Sequence, residues 1–206
     1  MLSGLLGANY LNQNLASIAN TPLDDTNNDN PLENQFRSTP QSEWQQGVYP
    51  VIYQQDPQWD NYPYAGTTFG ESGCGPACLA MVYIYLTGDT QESPQSIADL
   101  ATRQGYANQD GTAWAFMVNG ALALGLGAEE LPANSELITH LLQSGSPIIA
   151  IMGAGDFTTV GHFIVLTGID EYGNVSVHDP NNIERTQRTW PLQDLMPQFR
   201  DLWLYY

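Results

Sequence analysis

Residues 74–86, CGPACLAMVYIYL, restrict the fold more than any other stretch of the chain. Nearly every position is apolar, Gly88 marks the end, and the proline two residues after Cys74 suits the first turn of a helix. A helix that is apolar on all sides has no polar face to offer water, so it belongs inside a core. The segment is expected to be a central buried helix on which the rest of the domain packs.

Three further helices carry recognisable punctuation. Ser93 and Pro94 open one that stops by Gly105, Thr112 opens one ending near Gly125, and Asn134 or Ser135 opens one ending at Gly145. After Pro147 the pattern becomes strand-like: PIIAIMG, HFIVLTGI and VSVHD, with 171–174 as a turn, then a closing strand DLWLYY. Helices grouped early and antiparallel strands grouped late predict an α+β domain, with N-terminal helices packed on a C-terminal antiparallel sheet. Upstream of the central helix, VYPVIY reads as a short β-type run, followed by an aromatic loop, DPQWDNYPYAGTTFGESG.

From Thr21 to about Gln46 the chain is mostly Asn, Asp, Pro, Gln, Ser and Thr, too polar to offset the entropy of ordering a core. The expectation is therefore an N-terminal arm over 1–46, flexible or partly helical, and a folded domain over 47–206. The first 19 residues carry Leu2, Leu5, Leu6, Leu11, Leu15 and Ile18 at roughly helical spacing but no positively charged start. A trimmed remnant and a short amphipathic helix packed on the domain both fit them. A complete secretory signal is not visible.

The charge balance excludes some partners. Acidic residues number 22 against 5 basic ones, all arginine, for a net charge of -17. Such a surface repels nucleic-acid phosphates and anionic membranes, and suits solubility in a salty or extracellular setting. No apolar run reaches about 18 residues, so no membrane insertion is expected. The two cysteines, Cys74 and Cys78, lie one helical turn apart. At that spacing β-carbons sit about 5–6 Å apart, beyond the roughly 3.5–4.5 Å of a disulfide. Both are read as free thiols. Nothing in the sequence fixes the oligomeric state.

Cys74, in the run GCGP, should place its sulfur at the N-terminus of the central helix, where unsatisfied amides and the helix dipole favour the thiolate. The flanking glycines leave room for close approach of a substrate, and the Cys74 N–H is available to an oxyanion. Buried free cysteines are also ordinary hydrophobes, and that plainer reading is preferred for Cys78. A nucleophilic thiol needs a base. Of three histidines, His162 follows Gly161 and opens the apolar strand FIVL; His140 lies in the helix ELITHLLQ and reads as a surface or capping residue; His178 remains a rival. Asp179 ends the neighbouring strand and can hold the imidazole in the tautomer whose free nitrogen faces the thiol. It also reads as an Asp-Pro turn residue.

In the order YQQDPQWDNYPY, GESGCGPACLAMVYIYLTG, DGTAWAF, GSPIIAIMG, GHFIVLTGID and VHDPNN, the sequence resembles the C39-like cysteine peptidases. These form a papain-like group related to the peptidase domains of bacteriocin-exporting transporters. The resemblance spans about Val51 to Trp190. It implies a papain-like fold, Cys74 as nucleophile, His162 as base, Asp179 as orienting residue and Gln54 as the oxyanion-hole amide, with Gln55 its neighbour in an unfixed loop register. The chain departs from transporter-linked members at Gly73, where they commonly carry aspartate, in a longer Gln-to-Cys loop, and in having no accompanying membrane or ATPase segment. The resemblance therefore implies a free-standing, exported peptidase, acting on a peptide or protein substrate, rather than a double-glycine leader peptidase; a cytoplasmic setting also fits.

The expected chemistry is acyl transfer through a thioester, with peptide hydrolysis as the default. Glutamine deamidation, transglutaminase-like transfer and a non-catalytic peptide-binding module use the same framework. No cofactor is implied, and no CxxC or HxxxH spacing supports a metal site built from Cys74, His162, Asp179 and His178. Trp59, Tyr62, Tyr64, Trp114 and Phe116 are candidates either for lining a cleft or for packing a core.

Overall fold

The computed structural model describes residues 36–206, which lie in one compact unit. The expectations for residues 1–35 lie outside the described residues. Residues 36–46, read from composition as the end of an arm, are tied into this unit. Trp44 is buried in the main core and donates its Nε1–H to the Thr39 carbonyl at 2.9 Å, while the buried Ser38 N–H reaches Asp56 Oδ2 at 2.6 Å. One tryptophan and a few side-chain bonds anchor a segment whose composition reads as linker.

VYPVIY does not form a strand. Its backbone groups find other partners: Val51 N–H bonds Thr39 Oγ1, Tyr53 N–H bonds Ser38 Oγ, and Ile52 N–H reaches Met81 Sδ. The aromatic loop that follows holds a small hairpin, β1 (Pro63–Tyr64) and β2 (Thr67–Thr68), and a four-residue helix α1 (Phe69–Ser72). Ala65 and Gly66 turn that hairpin with φ of 55° and 81°, the left-handed pair such a tight turn requires.

The central helix α2 (Cys74–Thr87) has every residue from Gly75 to Ile84 buried. At about 1.5–3 kcal/mol for each fully buried large apolar side chain, Leu79, Met81, Val82 and Ile84 make it the main source of burial energy. Gly88, at φ 69°, ends it in the left-handed region. Helix α3 (Pro94–Arg103) starts as expected, with Ser93 and Ser96 exchanging side-chain and backbone bonds. Thr112 does not open a helix. It lies in the hairpin of β3 (Ala107–Asn108) and β4 (Gly111–Thr112), and α4 spans Phe116–Ala123.

Strand β5 (Ala128–Leu131) precedes α5 (Ser135–Gln143), whose Asn134 cap accepts from Leu137 N–H at 2.9 Å. Then come β6 (Ile148–Met152), β7 (His162–Ile169), β8 (Asn174–His178), α6 (Ile183–Thr186), β9 (Thr189–Pro191), α7 (Leu192–Leu195) and β10 (Phe199–Tyr205). Six strands form one antiparallel sheet in the order β5-β10-β6-β7-β8-β9. Its alternation is strict at the centre. Ile149, Ile151, Phe163 and Val165 join the core of α2, α3 and α4, whereas Ile148, Ala150, Ile164 and Leu166 join a second core with Ile138 and Leu142 of α5. The α+β arrangement is thus the one read from the sequence, with α5 on the opposite face of the sheet from α2.

Replacing Trp44 by Ala is expected to lower stability by about 3–5 kcal/mol, the usual cost of deleting a large aromatic from a core, read as a shifted midpoint in urea. An unchanged midpoint would mean that residues 36–46 do not belong to the folded unit.

Candidate active site

Cys74 is the first residue of α2, so its own N–H has no partner within that helix. The glycines on either side serve packing. A Cβ on Gly73 would run into the carbonyl and ring of Phe69 in α1, and one on Gly75 would stand 2.7 Å from Thr112 Oγ1 in β4. An aspartate at position 73 would therefore have no room. These close approaches, more than space for a substrate, explain the GCG run. Thr112 is fixed in turn by the Tyr64 hydroxyl at 2.7 Å.

His162 opens β7, paired with Met152, and is 6% exposed. Continuing the register from Leu166↔Val177 puts Asp179 one strand over and diagonal to it. The two meet through His162 Nε2 and Asp179 Oδ1 at 2.6 Å, with Asp179 fully buried. With Nε2 engaged by Asp179, Nδ1 is the ring nitrogen left free, and His162 lies near enough to act on the ionisation of the Cys74 thiol. Asp179 is thus bonded to His162, and the Cys74 thiol lies within reach of the charge on that imidazole.

The electrostatics favour the charged pair. Burial pushes the Cys74 thiol up, but the hydrogen bond and charge of His162, with the N–H groups of Phe163 and Gly75, outweigh it and hold the thiol below its ordinary value. Burial pulls His162 down, yet Asp179 and Cys74 together raise it to about 10. The sign of the linkage follows. A raised histidine contributes stability that is complete below its ordinary 6.5 and is lost as the pH climbs through about 10. The lowered thiol contributes above its ordinary 9.0 and loses that contribution as the pH falls through its folded value. Both shifts favour thiolate and imidazolium over the neutral pair.

Gln55 is only partly buried, whereas Gln54 is 3% exposed. Its backbone N–H donates to the Pro180 carbonyl at 2.8 Å, beside Asp179, and its Nε2 donates to the Gly70 carbonyl at 2.8 Å, just ahead of Cys74. An amide nitrogen carries two hydrogens, so one N–H remains after that bond. Gln54 Oε1 is buried without a partner. Asp56 organises the loop beyond it, accepting from Ser38 N–H and Gln58 N–H.

The other candidates separate cleanly. His178 points away from the site, its Nδ1 against the Pro50 carbonyl at 3.2 Å, and burial lowers it to about 4. His140 is exposed in the last turn of α5. Cys78 is a buried thiol, pushed well above its ordinary range by burial, and both cysteines are free. Trp59, Tyr64 and Phe116 belong to the core, Tyr62 bonds Asp99, and Trp114 alone of the five stands well exposed, edge-on to Trp203. Among the described residues no group of His, Cys, Asp and Glu could hold a metal ion, and no helix is long and apolar enough to cross a membrane. Sequence reading missed Arg185, which contacts Asp179 Oδ2; one arginine in an ordinary short helix gave no signal.

The model of the Peptidase_C39 like family matches residues 48–206. Among solved structures, the chain is similar to a double glycine motif protease from an AMS/PCAT transporter, solved in complex with the leader peptide. The identity is 19% and the TM-score 0.50, over 83% of this chain and 98% of that one. It is also similar to the peptidase domain of Streptococcus ComA, a bi-functional ABC transporter involved in a quorum sensing pathway, at 19% identity and TM-score 0.49, over 65% of this chain and 90% of that one. No curated protein matches the sequence significantly.

The two thiols should behave differently. Iodoacetamide at about pH 6–7, where an ordinary thiol is mostly protonated, is expected to label Cys74 and leave Cys78 untouched until the protein is denatured. His162→Ala is expected to move Cys74 labelling to higher pH. Mass spectrometry of peptides across a pH series reads both outcomes, and equal labelling of the two cysteines in the native protein would contradict the description above.

Proposed function

The chain belongs to the Peptidase_C39 like family, and from that membership we propose that it is a cysteine peptidase whose nucleophile is Cys74. The observation that carries this reading is the 2.6 Å bond between buried Asp179 and His162, with the Cys74 thiol at the start of α2 close enough for that imidazole to lower it. The Cys74 thiolate attacks the carbonyl carbon of a peptide bond and forms a carbon-sulfur bond, while the carbonyl oxygen takes up negative charge. The imidazolium of His162 then gives its proton to the departing amine as the carbon-nitrogen bond breaks. Water, giving one proton to the now neutral His162, adds to the thioester and expels the thiolate, and the carboxylic acid so formed loses its proton to solvent.

Asp179 holds His162 with Nε2 turned inward and Nδ1 turned to the thiol. The second N–H of Gln54 and the Cys74 N–H supply donors where the oxyanion develops. Support for Gln54 comes from its burial, its anchor on Gly70 and its backbone tie to Pro180. The family resemblance supports a peptide or protein substrate. A net charge of -17 disfavours anionic ones.

Turnover of a fluorogenic peptide library tests the reading. Cys74→Ala is expected to abolish cleavage, and Gln54→Ala to lower kcat about 10²–10³-fold, as loss of one oxyanion donor does. Asp179→Asn, whose amide oxygen still accepts from the imidazole, should keep much of the activity, whereas Asp179→Ala should lose considerably more. A library left intact by a protein whose Cys74 is readily alkylated would point to a different acyl acceptor or to peptide binding without turnover.

A further inference from the structure

Behind Asp179 stands Arg185, one of only five basic residues in the chain. We propose that Arg185 is a positioning residue for this site, because its Nη1 donates both to Asp179 Oδ2 at 3.2 Å and to the Phe157 carbonyl at 2.9 Å. The role rests on the reading of Cys74 and His162 as a reactive pair. One guanidinium thereby grips the carboxylate behind His162 and the turn between β6 and β7 that delivers His162 to its place.

The arginine is itself built in. Its N–H is capped by Asn182 Oδ1 at 2.8 Å, its carbonyl accepts from Trp190 Nε1 at 3.1 Å, and its guanidinium lies 5.5 Å from the centre of the Phe157 ring. Phe157 packs in turn against Trp190, with ring centres 4.6 Å apart. Asp179 Oδ1 is already committed to His162 Nε2 and to Asn181 N–H. Without Arg185 the second oxygen of a fully buried carboxylate loses its side-chain partner, and the carboxylate is free to turn away from the imidazole.

Charge leads to the same conclusion. The titratable and charged groups around Asp179 are His162 from β7, Arg185 from α6, Cys78 from α2, Tyr53 from the loop before Gln54, and Cys74 through His162. Thiolate, imidazolium and carboxylate alone would leave one negative charge in a buried site of a strongly acidic protein. Arg185 brings that group to neutrality. Losing a positive charge disfavours thiolate formation directly, and a carboxylate that has turned away weakens the imidazolium that supports it. Both effects act in the same direction.

The test is the pH dependence of Cys74 alkylation by iodoacetamide in the full chain, together with peptide turnover and melting temperature. Arg185→Gln is expected to move the alkylation profile to higher pH by about one unit, a tenfold slower reaction at about pH 6. It should also lower kcat with KM little changed. Arg185→Lys, which keeps the charge on a side chain one bond shorter and lacks the planar guanidinium that lies against Phe157, should retain the acid side of the profile and lose part of kcat. An Arg185→Gln protein that melts earlier but alkylates on the wild-type curve would show a merely structural residue and overturn the proposal. Should Arg185→Gln not fold, an Arg185→Lys protein with wild-type kcat overturns it instead. A wild-type Cys74 that titrates as an ordinary thiol would defeat the Cys-His pair itself, and Arg185's role with it.

Discussion

The burial of one helix end against one strand is the constraint on which the rest of the structure depends. Cys74 sits where α2 begins, near enough to His162 and Phe163 at the start of β7 for both to lower its thiol. For that approach to exist, α2 must be fixed in depth and rotation. Continuous burial from Gly75 to Ile84 fixes it, and the close approaches of Gly73 to Phe69 and Gly75 to Thr112 set the exact height of the helix start. Interiors packed this tightly do not slide by fractions of an ångström, so apolar packing holds the thiol and the imidazole in register.

The polar part of the site is built at strand ends, where side chains can leave the pleat. His162 begins β7 and Asp179 follows β8, so the pairing of these two strands sets their separation. The following residues serve as a brace: Thr186 Oγ1 accepts from Asp179 N–H, Asn181 N–H and Arg185 satisfy the carboxylate, and Pro180 ties the segment to Gln54. A buried carboxylate is costly unless each oxygen has partners. Here each has at least one, which is why a charged group can persist in this buried position.

Much of this was legible in the sequence because it depends on periodicity and chain punctuation. The apolar run after Cys74, the Ser93-Pro94 and Asn134 starts, and the strands around His162 and after Gly173 all follow from local pattern. The strand β5 was not legible: AEEL is short and acidic, and it is a strand only because β10 lies beside it. VYPVIY failed in the opposite sense, being β-like in composition but satisfied by side chains of Ser38, Thr39 and Met81 instead of by a partner strand. Trp44 and Arg185 share one reason for being missed. Each acts through contacts with residues distant or unremarkable in sequence, and a lone side chain in a polar stretch carries no period.

The central claim is that Cys74 attacks a peptide carbonyl while Gln54 and the helix start receive the oxyanion. A crystal structure of the protein treated with a peptide aldehyde tests it most directly. The account predicts a covalent bond from Cys74 Sγ to the aldehyde carbon, the resulting oxygen within about 2.7–3.1 Å of Gln54 Nε2 and the Cys74 N–H, and His162 still bonded to Asp179. Adduct density at Cys74 whose oxygen points away from Gln54, or a peptide bound elsewhere with the Cys74 thiol free, would contradict it.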